Sequence, residues 1–219
     1  SWEIKYLLFD KSNKQNLIID NLINQVLSLG SDVVGVTSDI LTKISHKENP
    51  QNVLGVFAQR WSKLPKVVNA ETFVALECIR DPGNLGTILR TMDGVGATNC
   101  ILLNECTDPF SYEAVRASMG AIFSVKVIAS TNEKFFEWKK KNKINSIGTS
   151  LSNAVNYTKT DWKLPFVLLM GNEQNGLSNK VLNQCDQLIK IPMLGKSDSL
   201  NLSVSAGIAL YESIRKNPK

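Results

Sequence analysis

The sequence predicts an α/β protein: a mostly parallel sheet flanked by helices, preceded by a small α/β unit. Two observations carry the prediction. From Phe73 onward, six apolar, strand-like runs alternate with helical stretches, the rhythm of a parallel sheet covered on both faces. Three loops rich in glycine, asparagine and short polar groups follow strand-like runs. The carboxyl ends of strands are where such a sheet places its ligand.

Taken in order, residues 2–8 are amphipathic, and 16–29 read as a helix with apolar Leu17, Ile18, Leu22, Ile23 and Val26. A strand is expected at 33–36, then a helical turn capped by Ser38 and running toward Ile44, then a strand at 53–58. Lys63, Leu64, Pro65 and Lys66 interrupt both periodicities and read as a linker. The expected organisation is a small, separate α/β domain at 1–63 whose completeness is left open, a linker at 64–70, and a larger domain at 71–219. In the larger domain, strands are expected at 73–79, 100–103, 125–128, 144–149, 166–170 and 187–191. Helices are expected at 85–95, 111–119, 133–141, 179–185 and 203–216. The lysine cluster at 139–143 reads as solvating a helix end, where cations complement the dipole.

With 219 residues, 43% of them hydrophobic, the chain can bury one or two cores. The formal charge is +5, and the excess is spread along the chain. Such a balance suits a polyanionic partner without requiring one. The four cysteines form no CxxC pair and no His spacing suited to a metal, so no metal is expected and the compartment reads as reducing. His46 is the only histidine and lies in a polar stretch, which argues against a His-dependent triad. No apolar run is long enough to span a membrane, no signal peptide is recognisable, and a start at Ser1 suits a trimmed or partial chain.

The first loop, 80–90, opens with Asp81-Pro82-Gly83-Asn84, which is turn chemistry, and Asn84 is placed to cap the helix that follows. Arg90 falls near Gly86 and Thr87 at helical spacing, and an arginine beside free backbone N–H groups forms a phosphate seat. The second loop, GNEQNGLS at 171–178, has glycines that permit tight turning, and Ser178 is a plausible cap. Its Glu173 is not needed by a turn and is suited to accept substrate hydrogen bonds or to orient an arginine. In the third loop, 191–201, Pro192 ends the strand and Ser199-Leu200-Asn201 leads into the last helix. Singly, Ser199 or Asn201 reads as no more than a helix cap. Together, the three loops offer short polar groups, exposed backbone and apolar neighbours suited to an adenine face.

The segments DPGNLGTILRT (81–91), GNEQNGLS (171–178) and IPMLGKSDSLNLSVSAGIALYE (191–212) resemble the SpoU-type RNA ribose 2′-O-methyltransferases of the SPOUT superfamily. The resemblance covers about Phe73 to the C-terminus. The earlier VVGVTSDILTKIS (33–45) and PQNVLGVFA (50–58) are similar to the small ribosomal-protein-like RNA-binding domain that often precedes the catalytic one. The resemblance implies a carboxyl end threaded into a deep trefoil knot that holds S-adenosylmethionine. It implies cofactor walls at Thr149, Leu169, Gly171, Ile191, Met193 and Leu200. It also implies catalytic or RNA-binding roles for Asn84, Arg90, Glu173, Ser199 and Asn201. A homodimer is implied, with active sites built from both subunits and the helix from Ser203 at the interface. Met92, Gly94 and Ser205 depart from the family's commoner residues, in ways expected to touch packing more than chemistry.

The partner implied is RNA, with large-subunit rRNA favoured by the front domain, and a cytoplasmic location. Neither DNA nor a membrane is expected as a partner. The alternatives are a tRNA 2′-O-methyltransferase and a non-catalytic RNA-binding protein of the same fold. A nucleotide-dependent oxidoreductase would need GxGxxG after the first strand, which Gly83-Asn84-Leu85-Gly86 does not supply.

Overall fold

The computed structural model describes residues 2–12 and 16–218. Ser1 lies outside them. The chain divides into two units, Ser1–Arg60 and Trp61–Lys219.

The first unit runs β1 (Ile4–Asp10), α1 (Leu17–Ser28), β2 (Asp32–Val36), α2 (Ser38–Ser45) and β3 (Val53–Phe57). Its sheet has the order β2-β1-β3, with β1 parallel to β2 and antiparallel to β3. Asn16 starts α1 by accepting a hydrogen bond from the Ile18 N–H at 3.0 Å, the usual task of an N-cap side chain. Ser38 does not cap α2, contrary to the expectation from sequence. Thr37 occupies the cap position without a side-chain bond, and Ser38 is already helical. Among the described residues of this unit, Leu7, Ile19, Val26 and Leu41 are the buried apolar ones.

The second unit begins one strand earlier than the sequence suggests. Trp61 and Ser62 form β4 and pair with Val127 and Ile128, so they belong to the larger sheet and not to a front unit ending at residue 63. The stretch read as a linker is also held there. The Pro65 carbonyl accepts the Trp138 indole N–H at 2.7 Å, and Leu64 and Val68 pack on the larger core.

After β4 come β5 (Thr72–Glu77), α3 (Pro82–Val95), β6 (Asn99–Leu103), α4 (Tyr112–Ala117), β7 (Lys126–Ser130) and α5 (Asn132–Lys141). They are followed by β8 (Asn145–Thr149), β9 (Val155–Asn156), β10 (Phe166–Met170), α6 (Asn179–Leu182), β11 (Gln187–Lys190) and α7 (Leu202–Lys216). The strands form one sheet of order β4-β7-β6-β5-β10-β8-β11-β9, and every neighbouring pair is parallel. Strands covered on both faces read as unbroken apolar runs rather than alternations. Every residue of β6 and β10 is accordingly buried. The core gathers Phe73, Ile101, Phe135, Val167 and Leu169, with the Phe73 and Trp138 rings edge to face at 5.2 Å.

The elements differ from expectation mostly at their ends. Val125 closes a turn onto the Ala121 carbonyl, so β7 starts one residue later and runs on to Ser130. Gln184 and Cys185 bond back three residues, to Val181 and Leu182, so the last turn after α6 is tighter than an α-helix. Helix α3 lies against α4 with no room to spare. A Cβ on Gly86 would come within 2.3 Å of the Ala114 carbonyl oxygen, so only glycine permits that approach.

Lys139 does more than solvate the end of α5. It is largely buried, with its side chain 12% exposed, and pairs with Asp186 at 2.5 Å. Asp186 also accepts from the Ser146 N–H and hydroxyl, both at 2.7 Å, which joins β8 to the turn before β11. Partial burial alone would raise the Asp186 carboxyl. The Lys139 ammonium and the Ser146 donors outweigh it and hold the group below the usual carboxylate range. A depressed folded-state value stabilises the fold at neutral pH, and this contribution is lost as pH falls through the folded value. Asp186→Asn should therefore destabilise the chain at pH 7 by about 1 kcal/mol or less after solvent screening. Thermal melts should show the gap from the parent closing as pH drops below about 4; a pH-independent gap would contradict this assignment.

Candidate active site

The sheet order sets β5, β10, β8 and β11 side by side. Being parallel, they direct the loops that follow them to one edge. The loops after β8, β10 and β11, with the start of α7, enclose a cavity of about 390 Å³. That is within the ordinary range of roughly 300–1,000 Å³ for small-molecule sites. Thr149, Gly171, Ile191, Met193 and Leu200, five of the residues expected at a cofactor wall, line it. Leu169 does not line it. Its side chain is fully buried in the core, and its carbonyl meets the Thr149 hydroxyl at 3.4 Å. Ser205, expected to touch packing more than chemistry, and Ala209 of α7 complete the wall.

The second loop is folded onto itself. Asn172 and Gly176 exchange backbone hydrogen bonds of 3.0 and 2.8 Å, with Gly176 at φ +66°. A Cβ on Gly171 would sit 2.0 Å from the Gly176 carbonyl carbon, so this closure requires glycine. The Asn172 side chain accepts from Gln174 and Asn175 N–H groups and donates to the Cys78 carbonyl at 3.0 Å, tying the loop to the end of β5.

The closure brings Glu173 to the first loop. Its carboxylate accepts from the Arg80 N–H at 3.3 Å, the Asp81 N–H at 3.2 Å and the Asn84 side-chain amide at 3.3 Å. Asn84 is not the helix cap expected from sequence. Asp81 caps α3 by accepting the Asn84 N–H at 2.6 Å, with Pro82 in the first turn. The Asn84 side chain is thereby free to bridge, and its carbonyl oxygen accepts from the Asn201 amide at 3.0 Å. Asn201 in turn caps α7, accepting from the Ser203 and Val204 N–H groups. One side chain thus both caps α7 and reaches Asn84, and the three loops are joined through Glu173, Asn84 and Asn201.

Asn84, Glu173, Ser199 and Asn201 border a second hollow of about 560 Å³, which shares Glu173, Ser199 and Leu200 with the first. Arg90 lines neither hollow. It is exposed on α3, one helical turn before Gly94, where an added Cβ would lie 3.5 Å from the Tyr211 hydroxyl of α7. The phosphate seat expected near Arg90 is also partly occupied. The Asn84 and Leu85 N–H groups of the first turn are already bonded to Asp81.

Glu77 was not anticipated. It is 4% exposed at the end of β5 and accepts from the Ser178 N–H and hydroxyl at 2.8 Å and from the Asn132 amide at 2.9 Å. A carboxylate inside an otherwise apolar strand was the available signal. Burial pushes the Cys106 thiol up to about 11 and the Cys185 thiol up to about 12, so neither is a nucleophile at neutral pH. Among the described residues, no three His, Cys, Asp or Glu side chains cluster to hold a metal.

Residues 71–211 match the family described as the SpoU rRNA Methylase family. The chain belongs to the SpoU rRNA Methylase family. Three similar proteins set the scale of likeness. The putative TrmH family tRNA/rRNA methyltransferase YacO of Bacillus subtilis is 38% identical over 148 residues, 67% of this chain and 59% of that protein. The 23S rRNA (uridine(2479)-2′-O)-methyltransferase of Streptomyces viridochromogenes is 28% identical across 98% of this chain and 77% of its own length. The crystal structure of the AdoMet-bound rRNA methyltransferase from Sinorhizobium meliloti superimposes with a TM-score of 0.93 at 39% identity. It covers 100% of this chain and 82% of that one. The chain thus spans less than two thirds of the Bacillus protein.

Glu77→Ala should cost about 2–3 kcal/mol, because it strands the buried Asn132 amide and the part-buried Ser178 N–H. Denaturant titration checks this. Glu77→Gln, which keeps an acceptor, should lose less, and equal losses would mean that the hydrogen bonds contribute nothing.

Proposed function

We propose that this chain is an S-adenosylmethionine-dependent RNA ribose 2′-O-methyltransferase acting on large-subunit rRNA. The observation that carries the proposal is the pair of adjoining hollows, one for donor and one for acceptor, joined at Ser199, Leu200 and Glu173. The donor hollow fits the cofactor's chemistry. It has backbone from three loops, small Gly171, Ser205 and Ala209, and apolar Ile191, Met193 and Leu200 for an adenine face. Thr149 completes that wall, and Leu169 acts behind it through its carbonyl. Bound there, the cofactor supplies an electrophilic methyl group on a sulfonium.

The chain's own work is positioning. Asn84, Ser199 and Asn201 orient the ribose, and Glu173 holds them by anchoring the loops. Correct placement of two reactants is worth roughly 7–11 kcal/mol of a barrier. Arg90 holds the target phosphate and polarises the 2′-hydroxyl, whose proton leaves late or to water, because a guanidinium gives up its own proton reluctantly.

Since Arg90 lines neither hollow of its own chain, it would act across a homodimer. The exposed, apolar face of α7 supports that arrangement. Val204, Tyr211 and Ile214 are spaced along one side of the helix, with Tyr211 58% exposed and beside α3. A trefoil knot agrees with segments from β8, β10 and β11 enclosing one cavity together with α7. The first unit is proposed as the ribosomal-protein-like RNA-binding domain, and an rRNA substrate places the activity in the cytoplasm. No helix among the described residues is long and apolar enough to cross a membrane. A tRNA substrate is the second reading, favoured by the tRNA/rRNA name of the 38% identical Bacillus protein.

Calorimetric titration of S-adenosylmethionine should show about one site per chain, and absence of binding would overturn the cofactor assignment. Arg90→Ala should reduce methyl transfer by about 100-fold while leaving cofactor affinity nearly unchanged. Loss of both together would instead place Arg90 at the cofactor.

A further inference from the structure

The acceptor hollow contains an arginine that the SpoU motifs did not single out. Arg80 lines it and is the only cationic side chain that does so among the described residues. Its backbone is fixed, since the Arg80 N–H donates to Glu173. Its guanidinium is nearly unengaged. The nearest carboxylate, Glu105, lies at 4.0 Å, and the two side chains are 63% and 91% exposed, so water and salt readily replace that contact.

The carboxylates beside Arg80 do not consume its charge. Asp81 is committed to the Asn84 N–H and Glu173 to two backbone N–H groups and the Asn84 amide. The side chain therefore starts from a rigid point at the rim of the hollow, carries a fork of donors, and has no strong partner. That combination suits bidentate recognition of a phosphate. Arg90, by contrast, lines neither hollow.

We infer that Arg80 binds a backbone phosphate of the RNA strand whose ribose enters the acceptor hollow, within the same protomer. Arg80 is then a positioning residue for the acceptor strand. This inference rests on the methyltransferase reading for the identity of the strand as RNA.

The test uses the full chain and a fluorescent, mixed-sequence single-stranded RNA oligonucleotide, with affinity measured by polarisation at several salt concentrations. S-adenosylmethionine affinity is measured in parallel by calorimetry. Removing one phosphate contact should flatten the log–log salt dependence by about 0.7. Arg80→Ala should show that flattening and bind RNA about 5- to 10-fold more weakly at low salt, with cofactor affinity unchanged. Arg80→Lys should keep the salt slope while losing part of the affinity, since the charge stays and the fork is lost. Glu105→Gln should leave RNA affinity equal or slightly stronger. An unchanged slope in Arg80→Ala overturns the inference. So does an equal loss in Glu105→Gln, which would mean that Arg80 acts only through that ion pair. Failure of the methyltransferase reading looks different, as absence of cofactor binding by the parent chain. A parent chain that binds this RNA with no salt dependence overturns the inference outright.

Discussion

The carboxylate of Glu173 accepts three hydrogen bonds, two from the loop after β5 and one from the first turn of α3, and the geometry around both hollows depends on that contact. Loops of a parallel sheet leave the same edge but have no intrinsic reason to stay at fixed mutual distances. Here a glycine-closed turn presents Glu173, Glu173 orients Asn84, and Asn84 reaches Asn201 at the start of α7. The relay runs from the second loop through the first to the third. Each side chain in it also does local work, Asn201 as a helix cap and Asn84 as a first-turn residue whose own N–H is held by Asp81. A single substitution in the relay would therefore loosen both a helix start and the site.

Burial supports the relay from below. Glu77 and Ser178 pin the exit of the second loop to the end of β5, and Asn172 pins its entrance to the Cys78 carbonyl. The loop is thus clamped at both ends to a strand whose side chains are almost wholly buried. Rigid supports of this kind let short polar groups act by position, which is what transfer between two bound partners requires.

Much of this was legible in the sequence. The continuous apolar runs of β6 and β10 announce doubly covered strands, and the three loops announce the edge where a ligand belongs. The two-residue strands β4 and β9 were not legible, because two residues carry no periodicity. Asp81 and Asn84 are both good helix caps, and only their relative placement decides that Asp81 takes the role. Arg90 shares a motif with Asn84, and Leu169 stands two residues before Gly171, yet Leu169 faces the core and Arg90 an exposed helix side. Adjacency in a motif does not fix the direction of a side chain. Glu77 and Arg80 were visible as a charge within an apolar strand and a cation beside a turn, but their partners are distant in sequence: Ser178 lies 101 residues and Asn132 55 residues from Glu77, and Glu173 lies 93 residues from Arg80.

The most direct test of the account is alkaline hydrolysis of RNA labelled by the chain. Unmodified large-subunit rRNA transcript is incubated with the protein and methyl-labelled S-adenosylmethionine, then hydrolysed completely. A methylated 2′-oxygen cannot attack its neighbouring phosphate, so the account predicts label in alkali-resistant dinucleotides. Label recovered in mononucleotides would place the methyl group on a base, and that result would contradict it.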